Sequence, residues 1–262
     1  MATLSVTRKL GRTPRTFDPR VPHMSALLAG KTLVAPPASI DYSKAMPAAF
    51  GMMLNDQLGD CTCAAYYHAR QVWSFNADGS ELTEPDKDVE QLYIGACGYD
   101  PKQPGEGPGG NEQHVLTYLM TTGAPIGPGG VGREKILGFV EVDPRILDDV
   151  KRTIADCGVA YIGFKVPQNI MPAGGEPPQT WTVDRAAKLI GGHAVALPGY
   201  DSTGPIVISW GRLYKMTWEF FSTYVDEVYA IADPAWITAK GTTPGGLKTQ
   251  ELEAQMQALK GA

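Results

Sequence analysis

The sequence predicts an α+β domain of two lobes, with the helices gathered in its first half and the strands in its second. Three observations carry that prediction. Between residues 60 and 122, apolar residues recur at helical spacing. From residue 136 onward, the apolar runs are short, rich in β-branched residues and separated by turn formers. Thirty glycines and 21 prolines in 262 residues speak against a plain helical bundle. The chain is long enough to bury a sizeable core, and 43% hydrophobic with 19% charged residues is an ordinary globular composition.

Residues 1–39 read as an extended basic arm. Pro14, Pro19, Pro22, Pro36 and Pro37 leave room for at most one short helix, around Met24 to Leu28. The first 30 residues hold Arg8, Lys9, Arg12, Arg15 and Arg20 against one acid, Asp18. That imbalance predicts either a solvated tail or an arm that docks on an acidic neighbour or subunit. The domain proper is placed at 40–238, and a C-terminal tail at 239–262 with a short helix over Thr249 to Leu259.

Within the domain, Asp60 is a good N-cap for a central helix on which Cys61, Ala64, Ala65, His68 and Val72 share a face. A second helix is expected over Val89 to Cys97, and a third over Asn111 to Thr122, closed by Gly123. Strands are expected at Ile136 to Val142, Val159 to Phe164, His193 to Leu197, Ile206 to Trp210 and Val228 to Ala232. Two helices interrupt them: Pro144 to Asp156, capped by Asp143 with proline first, and Thr217 to Asp226.

The net charge of −5 and the lack of a dominant basic face exclude nucleic acid as the expected partner. No run approaches the roughly 18 apolar residues of a membrane span, and no signal peptide is visible, so synthesis in a cytoplasm and reduced thiols are expected. Cys61-Thr62-Cys63 lacks a second paired-ligand motif, and neither Gly109-Gly110 nor Gly129-Gly130 has the context of a phosphate loop. No metal and no cofactor are expected.

The chemistry points to a thiol. A helix N-terminus favours a thiolate, and Cys61 opens the central helix behind Leu58-Gly59-Asp60. A base is needed, and His193 begins a strand 132 residues later. That separation lies within the roughly 130–150 residues between cysteine and histidine in papain-type enzymes.

At these residues the chain resembles the papain-like cysteine peptidases. Asn55-Asp56-Gln57-Leu58-Gly59-Asp60-Cys61-Thr62 is similar to the family's nucleophile motif, its Leu-Gly-Asp-Cys core looking most like the calpain branch. Gly109-Gly110-Asn111, the strand Val159 to Phe164, Gly192-His193-Ala194-Val195-Ala196, Ser209-Trp210-Gly211 and the closing strand at Val228 follow in the family's order. The match spans roughly residues 40–232 and implies a papain-like two-lobed fold with an antiparallel β-rich second lobe. The chain also resembles uncharacterised proteins of tailed phages and prophages that share the basic arm.

The resemblance implies Cys61 as nucleophile, His193 as general base and acid, and Asn55 with the Cys61 N–H as oxyanion donors. Gln57 stands in the same relation to Cys63, but only the Cys61 register keeps Gly59 two residues before the cysteine, so Cys63 is expected as a core thiol. Trp210 would shield the imidazole. Two positions depart from the pattern. Asn55 stands where the family has glutamine, and Ile208 where it has the asparagine that orients the histidine. Ser209 is expected on the opposite strand face, which leaves Asp201 as the candidate orienter. The implied function is hydrolysis of amide bonds in peptide or peptidoglycan. The alternative is a degenerate domain serving as a structural or assembly protein of a phage particle, virion-associated and using its arm to assemble.

Overall fold

The computed structural model describes residues 7–237 except 31, 104 and 174, and nothing of the Pro128 side chain. The helix expected at Thr249 to Leu259 lies outside the described residues.

The chain enters as an extended segment. It then forms α1 (Met24–Leu28), β1 (Ile40–Asp41), α2 (Cys61–Asp78), α3 (Asp86–Cys97) and α4 (Glu112–Thr121). A small hairpin of β2 (Ala124–Ile126) and β3 (Gly132–Glu134) follows, then β4 (Gly138–Glu141), α5 (Leu147–Cys157), β5 (Ala160–Pro167) and β6 (Thr180–Trp181). The chain continues through β7 (Leu189–Tyr200), β8 (Pro205–Ser209), β9 (Arg212–Met216), α6 (Trp218–Tyr224) and β10 (Val225–Ala232). The order is helical first and strand-rich second, as the periodicity predicts.

The main sheet runs β4-β10-β5-β7-β8-β9-β6, with β1 also on β7. All its pairings are antiparallel except β6 on β9. The central helix α2 packs on β7 and is buried along its whole first part, Cys61 to Ser74. Small side chains at Cys61, Ala64 and Ala65 let it approach the sheet closely, and Tyr66, Tyr67 and Trp73 fill the space around it. Trp73 Nε1 donates to Cys157 O at 2.7 Å, and Tyr161 Oη donates to Thr62 O at 2.8 Å, so the helix is also tied to α5 and β5. Gly79 ends α2 in the left-handed region (φ 79°), its N–H on Phe75 O.

Several boundaries differ from expectation. α5 starts at Leu147 rather than at Pro144, because the Asp143 carboxylate accepts from the Arg145 N–H and guanidinium and makes a local turn in place of a cap. β7 is longer than expected at both ends, since Gly191 and Gly192 continue it despite their low strand propensity. The hairpin β2–β3 and the strand β9 were not anticipated. Gly127 to Gly130 masked the first behind glycine, and β9 carries no apolar alternation strong enough to mark it.

The arm is no solvated tail. Val21, Met24 and Leu27 enter the hydrophobic core, and residues 9–13 lie across the face where α2 meets β7.

Candidate active site

Cys61 is the first residue of α2, 1% exposed, with its sulfur turned to β7. Burial pushes the thiol up to about 12 and outweighs the backbone hydrogen bonding from Ala194 and Gly11 that lowers it. His193 is the residue before Ala194 on β7 and is paired across the sheet with Phe164. The helix tip and the histidine strand therefore meet at one buried spot. Burial also lowers the His193 imidazole, to about 3, so both groups are neutral here.

The ring of His193 is held on three sides. Its Nε2 is 2.8 Å from Ser209 Oγ, Trp210 stacks on it at 4.5 Å and 16°, and Phe164 meets it edge-on at 5.8 Å. Nδ1 has no hydrogen-bond partner among the described residues. With Nε2–H donating to the serine, the lone pair lies on Nδ1.

The side chain bonded to the ring is Ser209, which lies on the same strand face as His193 and not on the opposite one. Register explains the placement. Ala196 pairs with Ile208, so Ile208 shares a face with Ala196 and Ala194, while Ser209 falls on the face of His193. The structure engages the Asp201 carboxylate with Lys215 Nζ and with the N–H groups of Thr203 and Gly204. Trp210 reaches its stacked position through a two-residue turn, Trp210 and Gly211, both at positive φ (46° and 73°), between the paired Ser209 and Arg212. Such turns match the twist of a hairpin, and a tryptophan in the left-handed region is strain held at the site.

The structure places the Asn55 side chain within its own loop. Its amide nitrogen donates to Leu58 O at 3.2 Å and Asp60 Oδ1 at 3.1 Å, which uses both protons inside the loop. Asp60 precedes α2 but its carboxylate does not cap the helix; it faces Asn55 instead, and burial raises it well above the usual carboxylate range. Cys63 is a core thiol, fully buried beside Cys97.

The groove over Cys61 is filled by the arm. Lys9 N–H donates to Asn55 O at 2.9 Å, and Trp210 Nε1 donates to Lys9 O at 3.4 Å. The N–H groups of Gly11 and Arg12 donate to Gly192 O at 3.3 and 3.2 Å. On the other wall, Gly110 N–H donates to Gly11 O at 2.8 Å and Thr13 N–H to Gly110 O at 2.9 Å. The fit needs a glycine at position 11, because a Cβ there would lie 1.8 Å from Gly59 O. The basic residues meet acids of the same chain: Arg8 with Glu176, Lys9 with Glu106, Arg15 with Glu141, and Arg12 with Glu112, Asp226 and Glu227.

With this geometry in view, the comparisons with solved structures decide the fold. Xylellain, a cysteine protease from Xylella fastidiosa, matches with a TM-score of 0.65 at 17% identity, over 89% of this chain and 99% of that one. This is the papain-like fold. Two further structures agree. Procathepsin B S9 from Trypanosoma congolense matches at TM-score 0.55 and 12% identity, over 87% of this chain and 88% of that one. Procathepsin L 3 of the Tenebrio molitor larval midgut matches at TM-score 0.55 and 12% identity, over 87% and 77%. No protein-family model and no curated protein matches the sequence. At these identities the likeness is one of fold, and within the papain-like fold the site above is read from this chain's own residues.

Proposed function

We propose that the chain is a thiol hydrolase of amide bonds in peptide or peptidoglycan, held latent by its own N-terminal arm. One observation carries the reading: Cys61, at the tip of α2, and His193, whose Nδ1 has no hydrogen-bond partner among the described residues, are both buried where α2 packs on β7. In the open groove Cys61 Sγ attacks the carbonyl carbon as Nδ1 takes its proton, and Ser209 keeps the ring in the productive tautomer. The developing oxyanion faces the Cys61 N–H and the positive end of α2. His193 returns the proton to the leaving nitrogen, the C–N bond breaks, and water then releases the acyl group from sulfur. The arm's carbonyls at Lys9 and Gly11 accept from Trp210 Nε1 and the Gly110 N–H, so the groove walls hold the arm across the site.

The reading is tested by iodoacetamide alkylation across pH, in wild type, Gly11→Ala and Cys61→Ala. Gly11→Ala unseats the arm and should give a fast phase well below pH 7 that Cys61→Ala removes. Alkylation of the unseated protein with only the ordinary thiol inflection near pH 8.5 would overturn it.

A second reading, a phage assembly protein that kept the fold and lost turnover, is favoured by the amide of Asn55 being spent inside its loop. Co-purification with particles in defined copy number would support it.

A further inference from the structure

We propose that the buried acidic pocket filled by Arg12 is a guanidinium-binding subsite, which in the open groove takes an arginine side chain of a peptide ligand. The occupant's role as substrate rests on the hydrolase reading; the binding itself does not.

The arm's main-chain bonds to Gly110 and Gly192 flank Arg12 and carry no sequence information. Its side chain does. The guanidinium is 3% exposed and meets Glu112 on α4 and Glu227 on β10, both fully buried, with Asp226 Oδ1 at 2.7 Å. Gly163 on β5 forms the floor, where a Cβ would lie 1.9 Å from Glu112 Oε1 and 2.2 Å from Arg12 Nε. Glu227 is also held by Tyr229 Oη at 2.6 Å, so one wall of the pocket has a support that does not come from the arm.

Two features separate this from an ordinary structural ion pair. Three carboxylates face one cation, and the buried Glu112 Oε2 has no hydrogen-bond partner among the described residues. A pair retained only for stability has no use for that surplus, since apolar residues of similar volume stabilise as well or better. The donors engaged are Nε and Nη2, a planar fork that a lysine ammonium does not reproduce. Position completes the case: Arg12 directly follows Gly11, which lies so close to Gly59, two residues before Cys61, that a Cβ on it would be 1.8 Å from Gly59 O. The pocket thus reads the side chain beside the segment that crosses the loop leading to Cys61.

The test uses the full-length chain in two variants, each also carrying Cys61→Ala so that binding is separated from turnover. Arg12→Ala empties the pocket, and Gly11→Ala displaces the arm with Arg12 intact. Thermal unfolding is followed with N-acetyl-arginine amide and with its neutral isostere N-acetyl-citrulline amide. The expected result is a saturable rise in Tm of several degrees with the arginine compound in both variants and none with citrulline. Glu227→Gln added to Arg12→Ala should weaken the apparent affinity at least tenfold. Equal responses to the two compounds, or no saturable response in a folded variant, overturn the proposal. So does failure of both variants to fold, since an arm that merely fills a ligand pocket is dispensable to the core. Arginine binding without hydrolysis of any peptide amide would leave this subsite standing and remove the hydrolase.

Discussion

Ser209 holds the His193 ring by one buried hydrogen bond, and that bond belongs to the sheet register rather than to a motif. Ser209→Ala leaves Nε2 buried without a partner, at a cost of about 1–3 kcal/mol in stability. If the serine positions the ring for proton transfer, the variant should lower kcat about tenfold with KM little changed, and Ser209→Thr should restore most of it. Loss of stability with unchanged kcat would make the serine merely structural. His68 gives a second test at this scale. It is buried with Nε2 3.1 Å from Gly51 O, and burial lowers its pKa from 6.5 to about 4. Its folded pKa lies below its unfolded value, so the unfolded chain binds the extra proton. The contribution of His68 is complete above pH 6.5 and is lost as the pH falls from there toward 4. Urea titrations should show wild type losing more stability than His68→Gln between pH 7 and pH 5; parallel losses would contradict that assignment. The comparison of variants is needed because burial raises Asp233 to about 7, which works in the opposite direction over the same window.

At the scale of elements the arm is the decisive segment. It is anchored twice, by main-chain bonds to Gly110 and Gly192 and by the core residues Val21, Met24 and Leu27, and Arg12 is buried within the first anchor. Gly11→Ala disturbs only the first anchor, so the domain should stay folded while the groove opens. Cys61 should then alkylate at least tenfold faster than in wild type, and trypsin should cut at Arg8 or Arg15 well before the core is degraded. Salt should act in the same direction and more weakly. Half-exposed Glu176 and Glu106 hold Arg8 and Lys9 at the rim, and such pairs are screened at high ionic strength. The pair of Arg12 is shielded from solvent. Burial by itself would lower the Arg12 pKa, and the surrounding carboxylates outweigh it and raise it. Wild-type alkylation near 1 M salt should therefore rise by a small factor rather than reach the rate of the Gly11→Ala variant.

Across the whole molecule, α2 is the axis on which both lobes depend. Trp73 is fully buried and its Nε1 bonds to Cys157 O, linking the helix to the end of α5. Trp73→Ala removes a large apolar side chain and orphans a carbonyl, which should cost about 3–5 kcal/mol. That is a large share of the roughly 5–15 kcal/mol that holds a domain folded, and urea unfolding of the variant would show it as a shifted midpoint. The loss should reach the site, because the N-terminus of the same helix carries Cys61. A fall in stability that left Cys61 alkylation kinetics untouched would show the two ends of α2 to be independent.

Local sequence by itself determined the helices and the longer strands, though not β2, β3 or β9. Helical periodicity marked α2 and α4, Asn111 and Gly123 marked the ends of α4, and apolar β-branched runs marked β5, β8 and β10. It also singled out Cys61 and His193 as candidates, because a thiol at a helix tip and a histidine between two glycines and an apolar run are local patterns. What only the tertiary structure decided are relations between distant segments: the pairing of Ala196 with Ile208 that turns Ser209 to the ring, the spending of the Asn55 amide on Asp60, and the engagement of Asp201 by Lys215. Above all it decided the partner of the basic arm. The acids that receive Arg12 lie 100, 214 and 215 residues away, at Glu112, Asp226 and Glu227, and they converge because the sheet brings β5 and β10 against the first turn of α4. Charge composition predicts that such an arm will seek carboxylates; only folding determines which ones are close enough to bind it.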